Sequence, residues 1–196
     1  MELKLPAMYG KQYEAVHDPR RISVIEAATK CGKTAGCMIW LLGHAWNDTV
    51  PGHAYWWVAP VYQQSRIAFD RMKAWLRHAD PMKKAWRSHD TEMWIEVGAG
   101  SRIWFKSGDD PDNLYGEDVY AAVLDEATRM REESWHAVRS TLTATRGPVR
   151  IIGNVRGRSN WVHKLAMRGL AEPAGDRKST RLNSSHIQKS RMPSSA

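Results

Sequence analysis

Short runs of apolar residues alternate along this chain with longer segments in which apolar residues recur at helical spacing. The short runs are rich in β-branched and aromatic residues, and they cover residues 22–27, 54–59, 119–124 and 149–153. The longer segments cover residues 34–46, 63–79 and 133–142. Strands that are apolar throughout and separated by helices are typical of parallel sheets buried on both faces. The pattern therefore predicts an α/β fold, with a mostly parallel sheet covered by helices on both faces.

A hairpin is predicted between the second and third of these strands. Residues 92–97 and 101–106 alternate apolar and polar positions on either side of a Gly-Ala-Gly turn at residues 98–100, which is the pattern of two antiparallel strands. In parallel α/β sheets, ligands bind beyond the carboxyl ends of the strands. The residues that directly follow the parallel strands are therefore the candidate functional residues.

The composition fits one globular domain. The chain has 196 residues, of which 42% are hydrophobic and 26% are charged, and this excludes a disordered chain. No segment reaches the roughly 20 apolar residues of a membrane span, and residues 1–10 lack the features of a secretory signal. Cys31 and Cys37 are the only cysteines. A disulfide framework is therefore excluded, and a reducing compartment is expected.

Half of the net charge lies in the last 21 residues. The chain carries +8 overall, and residues 176–196 contribute +4 of it, with five Lys and Arg against one Asp. This segment fits a disordered nucleic-acid-binding tail. It also resembles the in-frame translation of a sequencing-library adapter, the interpretation that we favour. We therefore predict a domain over residues 1–172 and an artefactual or disordered tail over residues 173–196, and we expect the natural chain to continue beyond the domain.

Residues 27–34, AATKCGKT, match the phosphate-loop pattern GxxxxGK[ST] except that Ala27 replaces the first glycine. The segment lies between a predicted strand and a predicted helix, where backbone N–H groups at the helix start bind phosphate. Lys33 is predicted to reach the β- and γ-phosphates, and the Thr34 hydroxyl to bind Mg²⁺. The predicted nucleotide-binding residues of this P-loop NTPase motif are Thr29, Lys30, Cys31, Gly32, Lys33 and Thr34.

An apolar strand followed by two acidic residues, VYAAVLDE at residues 119–126, has the Walker B pattern. Asp125 is predicted to hold Mg²⁺, and Glu126 to orient and deprotonate the attacking water. The adjacent glutamate favours the RecA-like (ASCE) class of P-loop hydrolases, which has an extra strand between the two motifs, over a small-molecule kinase.

The order of four segments resembles the ATPase domain of the large subunit of tailed-phage terminases, the motors that package DNA into capsids. The segments are GKT, LYGEDVYAAVLDEAT, SWHAVRSTL and GPVRIIGNVRGRSNW, and the resemblance covers residues 5–170. It implies hydrolysis of ATP with Mg²⁺ to move viral double-stranded DNA into a procapsid, in the host cytoplasm. The implied partners are DNA, further copies of the chain in a ring on the capsid portal, and the small terminase subunit, with no membrane. That family carries a nuclease domain after the ATPase domain. Nothing in residues 1–175 matches such a nuclease, so no DNA cleavage is expected of this chain.

The resemblance also implies roles for single residues. Gln12 matches the adenine-sensing glutamine of the family, and Tyr9 is a candidate stacking partner for the base. Lys30 lies in the variable centre of the phosphate loop, where the family often has a basic residue. Asn154, after Gly153, matches the coupling motif that senses the γ-phosphate, and a neutral amide can donate to phosphate or to the attacking water.

Other features of the sequence leave alternatives open. Arg139 and Arg146 are candidates for an arginine that stabilises the transition state, or they are solvated charges. The acidic segment 109–118 fits a solvated loop better than a two-metal nuclease site, and Trp161 is a candidate DNA contact or a core residue. Two other functions remain possible: another P-loop DNA-dependent ATPase such as a helicase, or an inactive fragment that only binds nucleotide.

Overall fold

One mixed sheet organises the part of the chain that the structure describes. The computed structural model describes residues 5–80, 82, 85–154 and 156–171. The strands in these residues are β1 (Ile22–Glu26), β2 (Ala54–Ala59), β3 (Trp86–His89), β4 (Trp94–Val97), β5 (Ser101–Ser107), β6 (Val119–Leu124) and β7 (Val149–Gly153). The helices are α1 (Gly10–Val16), α2 (Lys33–Asn47), α3 (Tyr62–Ala79), α4 (Glu132–Thr141) and α5 (Trp161–Ala171). The tail predicted for residues 173–196 lies outside the described residues and stays a prediction.

The strands follow the order β1-β7-β6-β2-β5-β4-β3 across the sheet. The pairs β1–β7, β7–β6, β6–β2 and β2–β5 are parallel, whereas β4 and β3 join as antiparallel strands at the far edge. The predicted mostly parallel α/β sheet is thus confirmed, and the predicted hairpin corresponds to β4 and β5.

Alternate residues of the central strands face two separate apolar cores. On the first face, α1, α2 and α3 pack on strand residues that include Ile25, Trp57 and Val123. On the second face, α4 and α5 pack on Val24, Trp56 and their neighbours. Because both faces are covered, these strands can be apolar over most of their length, as their sequences are.

Three elements lie outside the sequence-based prediction. The short strand β3 has the polar sequence WRSH, of which only Trp86 is buried. The seven-residue helix α1 buries only Gln12, Ala15 and Val16. Helix α5 follows β7 and packs on the second face.

Among the described residues, no helix is both long and apolar enough to cross a membrane.

The fold brings the carboxyl ends of β1, β6 and β7 to one edge of the sheet. Glu26 of β1 pairs with Gly153 of β7, so the phosphate loop begins beside Asn154. Asp125 follows β6, and its N–H donates to Val58 O on β2 at 2.8 Å. Helix α2 begins at this same edge, which we call the phosphate edge.

Candidate nucleotide-binding site

The phosphate loop has the backbone conformation that its glycine predicts. Gly32 lies in the left-handed region at φ 80° and directly precedes α2. A side chain here would be strained, and a Cβ would lie 3.0 Å from Gln12 Nε2. Lys30 also has a positive φ, 63°. The loop therefore turns sharply into α2, whose first N–H groups are available at a helix N-terminus for a phosphate.

Lys33 is buried at the start of α2, with 7% of its surface exposed. Its Nζ donates to Asn154 Oδ1 at 2.8 Å and to the carbonyl oxygens of Ala27 and Ala28 at 3.4 Å each. The ammonium group is thus held at the phosphate edge by three oxygen atoms, and two of the predicted catalytic residues are in direct contact.

Thr34 and Asp125 meet across the same edge. The Thr34 hydroxyl donates to Asp125 Oδ1 at 3.5 Å, and the N–H of Glu126 donates to the same oxygen at 3.0 Å. A hydroxyl and a carboxylate are ligands that Mg²⁺ accepts, with phosphate and water completing its shell. The two predicted metal ligands therefore fit Mg²⁺. The described residues contain no cluster of three or more His, Cys, Asp and Glu side chains for another metal ion.

The Asp125 carboxyl has a perturbed pKa. Burial, together with the neighbouring Glu126 charge, raises this pKa to about 6. The Glu126 N–H opposes the rise, and the positive charges of Lys33 and Arg71 do so as well. Burial and a like charge both disfavour the ionised form of this carboxyl. A bound divalent cation would favour that form and so lower the pKa again.

Glu126 has a left-handed backbone, with φ 49° and ψ 36°. A residue other than glycine in this region is uncommon and costs of order 1–3 kcal/mol, and such residues cluster at functional sites. The conformation leads the chain from β6 into a 3-10 turn at Ala127–Arg129. Glu126 consequently stays half-buried at the phosphate edge, directly beside Asp125.

Gly153 lets the end of β7 pack against this turn. A Cβ at residue 153 would lie 3.1 Å from Thr128 Cγ2 and 3.2 Å from Thr128 Oγ1. Asn160 Nδ2 donates to Thr128 O at 2.9 Å. The segment that carries Asn154 and the turn that follows Glu126 are therefore in contact.

Tyr9 and Gln12 contact the backbone of the phosphate loop. Gln12 Nε2 donates to Gly32 O at 2.7 Å, and the Tyr9 N–H donates to Gln12 Oε1 at 3.4 Å. The Tyr9 hydroxyl donates to Cys31 O. Partial burial raises the pKa of Tyr9, and the nearby Cys31 contributes to the rise. Helix α1 is thus attached to the loop through both side chains.

Arg139 and Arg146, the candidates for an arginine that stabilises the transition state, lie away from the phosphate edge. Arg139 lines a cavity between α4, α5 and β1. Arg146 precedes β7, at the amino end of a strand whose carboxyl end carries Asn154. Besides Lys33, the positive charge of Arg71, at an exposed position of α3, lowers the pKa of Asp125. Arg71 is absent from the sequence-based prediction, and no local motif marks it.

Two other open points have structural answers. Trp161 is buried, its Nε1 donates to Met130 O at 2.9 Å, and its ring stacks on Trp135, so it is a core residue. Asp109, Asp110 and Asp112 are exposed, and Asp110 caps a 3-10 turn by accepting from the Asp112 N–H. The loop interpretation of this acidic segment fits these contacts.

Comparisons with known proteins agree on the fold. No protein-family model and no curated protein matches the chain. Among solved structures, the large terminase ATPase domain of Thermus phage P74-26 superposes with a TM-score of 0.79 at 20% identity, over 93% of this chain and 84% of that one. The large terminase of a thermophilic bacteriophage, in complex with ADP, gives 0.73 at 14% identity, over 91% of this chain and 46% of that one.

The large terminase of bacteriophage HK97 gives a TM-score of 0.73 at 15% identity, over 85% of this chain and 37% of that chain. This chain thus spans less than half of the ADP-bound terminase and of the HK97 protein. The similarity establishes a RecA-like P-loop fold of the kind found in large terminase ATPase domains. The predicted fold class is therefore confirmed, and so is the predicted resemblance, at the level of the fold.

Proposed function

We propose that this chain binds ATP with Mg²⁺ at the phosphate edge and hydrolyses it. The observation that carries the proposal is the meeting of side chains that lie far apart in the sequence. Lys33 is bonded to a side chain 121 positions later, and Thr34 to a side chain 91 positions later. A strand–loop–helix with a buried lysine, facing a carboxylate pair on the next but one strand, is the arrangement of P-loop NTP hydrolases.

The phosphate loop binds and orients the triphosphate. Backbone N–H groups from Thr29 to Thr34 surround the β-phosphate, with Lys30 and Cys31 contributing main chain at the turn. The Lys33 ammonium group lies at the phosphate edge and donates to three oxygen atoms of the protein. Phosphate oxygens can take the place of these acceptors. Thr34 and Asp125 would hold Mg²⁺, which would supply positive charge to offset that of the β- and γ-phosphates.

Glu126 and Asn154 act on hydrolysis. The Glu126 carboxylate, at the phosphate edge beside Asp125, orients the attacking water and accepts its proton. Asn154 bonds to Lys33 and lies next to the turn that follows Glu126. An amide in this position can respond to the γ-phosphate and change partners when that phosphate leaves.

The biological context proposed is translocation of viral double-stranded DNA into a procapsid. The support is the fold shared with large terminases of three phages, one of them in complex with ADP. In this proposal the chain acts in the host cytoplasm, as part of a ring of copies on the portal, with the small terminase subunit as a further partner. Because the chain spans less than half of two of these proteins, a fragment that binds ATP without turnover is the second candidate.

The proposal is tested by measuring ATP binding and phosphate release with and without Mg²⁺ and double-stranded DNA. We expect Mg²⁺-dependent hydrolysis that Lys33→Ala abolishes, while Lys164→Ala, an exposed lysine on α5 of the second face, leaves it unchanged. Binding without turnover in the unaltered chain would favour the fragment. Hydrolysis that survives Lys33→Ala would contradict the proposed site.

A further inference from the structure

The loop that joins β7 to α5 carries two exposed arginines at the phosphate edge. It runs from Asn154, which follows β7, to Asn160, which precedes α5. Arg156 and Arg158 lie on either side of Gly157, and both are exposed. Neither arginine forms an ion pair with any residue that the structure describes. Their charges are therefore available to a binding partner.

Contacts at both ends attach this loop to the rest of the protein. At its start, Asn154 Oδ1 accepts from Lys33 Nζ at 2.8 Å. At its end, the Asn160 N–H donates to Gly157 O at 3.4 Å, and Asn160 Nδ2 donates to Thr128 O at 2.9 Å. Gly157 has a left-handed backbone with φ 91°, and a Cβ there would meet nothing within 4 Å. The turn between the two arginines is thus closed by a hydrogen bond and faces open space.

A third arginine lies on the turn that this loop contacts. Arg129 is exposed and ends the 3-10 turn that follows Glu126. It directly follows Thr128, which contacts both Gly153 and Asn160. Among the described residues, Arg129 also has no ion-pair partner. Two contacting segments therefore place three exposed positive charges at one edge of the sheet.

We propose that Arg129, Arg156 and Arg158, which we call the basic surface, bind the phosphate backbone of double-stranded DNA. The inference rests on the proposed function and names the surface through which DNA would reach the site. An arginine guanidinium can bind phosphate oxygens in a bidentate geometry. Contacts to phosphate alone carry no sequence information. Such a surface suits a motor that has to move DNA of any sequence.

The composition of the loop favours nucleic acid over a protein partner. Residues 156–159 are Arg-Gly-Arg-Ser, so they offer cations, a hydroxyl and main-chain N–H groups but no apolar side chain. Protein interfaces are usually centred on buried apolar or aromatic side chains, whereas phosphates need only charged and polar donors. The phosphates of ATP are assigned in the proposed site to Lys33, which is buried, whereas the three arginines are exposed.

The basic surface lies close in the chain to the residue that contacts Lys33. Arg156 follows Asn154 by two positions, and Asn154 accepts the hydrogen bond from Lys33. A DNA phosphate bound at Arg156 would restrain the segment that carries Asn154. Binding of DNA and binding of ATP would therefore influence each other, and this coupling is reciprocal.

The test measures the affinity for a short fluorescent DNA duplex by anisotropy over a range of salt concentrations, without nucleotide. We expect the double variant Arg156→Ala, Arg158→Ala to reduce the slope of log affinity against log salt by about 1.8, because each phosphate contact contributes about 0.9. Duplexes of unrelated sequence should lose affinity equally. The charge of residues 176–196 is the same in every variant, so its contribution cancels in the comparison.

The double variant Arg139→Ala, Arg168→Ala is the matched control. It removes the same charge from exposed positions of α4 and α5, and it should leave the salt slope unchanged. Equal slopes in the loop variant and in this control would overturn the inference. Absence of DNA binding by the unaltered chain would overturn it as well.

Two further variants separate the loss of charge from a change in the loop structure. Arg156→Lys with Arg158→Lys keeps both charges and should retain the slope of the unaltered chain. Arg129→Ala lies on the other segment and should reduce the slope by about 0.9, even if the alanine variant of the loop fails to fold. A slope that Arg129→Ala leaves unchanged, or that the lysine variant loses, would contradict the basic surface.

The outcome for DNA can be distinguished from the outcome for ATP, because the binding measurement needs no nucleotide. ATP hydrolysis in a chain whose DNA binding ignores these arginines would overturn the inference and leave the proposed hydrolysis standing. DNA binding through the basic surface in a chain that does not hydrolyse ATP would support the inference and contradict the proposed hydrolysis.

Discussion

Lys33 Nζ donates a 2.8 Å hydrogen bond to Asn154 Oδ1, which joins the first residue of α2 to the residue that follows β7. Asn154 accepts the shortest of the three hydrogen bonds that the Lys33 ammonium group donates, the other two going to Ala27 O and Ala28 O at 3.4 Å each. A phosphate oxygen that binds Lys33 in the proposed site therefore competes with Asn154 and with these two carbonyl oxygens. The proposed site thus predicts that ATP affinity depends on the acceptor strength of residue 154.

We expect Asn154→Asp to weaken ATP binding by about tenfold or more, because a charge-assisted bond to Lys33 is roughly twice as strong as a neutral one. Asn154→Ala is expected to keep or increase ATP affinity, while hydrolysis falls by about tenfold to hundredfold. Calorimetry and phosphate-release rates measure the two effects. Asn47→Asp, at the opposite end of α2, is the control. Equal ATP affinity in Asn154→Asp and Asn154→Ala would show that Asn154 does not compete with phosphate.

Lys33 and Glu126 are expected to separate binding from hydrolysis. Lys33→Ala should lose ATP binding, since the loop then lacks its buried cation. Glu126→Gln should still bind ATP but hydrolyse it about 10²-fold to 10⁴-fold more slowly, since the general base is lost. Binding titrations and single-turnover kinetics measure both. Glu133→Gln, exposed on α4, provides the matched control; parallel loss of binding in the Lys33 and Glu126 variants would disprove the division of roles.

Asp125→Asn is expected to raise the Mg²⁺ concentration that supports half-maximal hydrolysis by about tenfold or more, because a neutral amide is a weaker ligand for a hard cation. A Mg²⁺ titration of the hydrolysis rate measures the shift. Asp112→Asn, in the exposed acidic loop, should leave the titration curve where it is. A shift of the same size in both variants would argue against a specific metal site at Asp125.

Arg71 is expected to contribute a smaller electrostatic effect. Its charge lowers the pKa of Asp125 from an exposed position on α3, and a cation near a phosphoryl-transfer site stabilises the charge of the transition state. Arg71→Ala should therefore reduce the turnover rate by about threefold to tenfold at saturating ATP and Mg²⁺. Arg77→Ala, also exposed and further along α3, serves as the control. A turnover rate of Arg71→Ala equal to that of Arg77→Ala would exclude this contribution.

The sheet and the phosphate edge could be predicted because their signals are local. The strands around Val24, Trp56 and Val123 are apolar over most of their length, and the turn before Lys33 carries a motif. Parallel strands place their carboxyl ends together, so the meeting of Thr34 with Asp125 follows from the order of elements.

Other contacts have no local signal. Helix α1 has few apolar positions, and the bond from Gln12 to Gly32 becomes apparent only when α1 is packed beside α2. The charge of Arg71 acts on Asp125 through the packing of α3, which sequence spacing does not specify.

Helix α5, by contrast, carries a usable pattern in its sequence. Trp161 and Leu165 recur at helical spacing, and Asn160 is a residue type that caps helices. In the structure Asn160 Oδ1 accepts from the Val162 N–H at 3.0 Å, as such a cap does. This helix could therefore have been predicted, although the sequence-based prediction ends at β7.

The packing of Gly153 on Thr128 has a mechanical consequence. Thr128 O accepts from Asn160, the residue before α5, and Trp161 at the start of α5 is stacked on Trp135 of α4. These contacts join the end of β7, the turn after Glu126 and the starts of α4 and α5 into one packed unit. In the proposed ATPase, a displacement of Asn154 on phosphate release would therefore act first on these two helices, which cover the face of the sheet opposite α2.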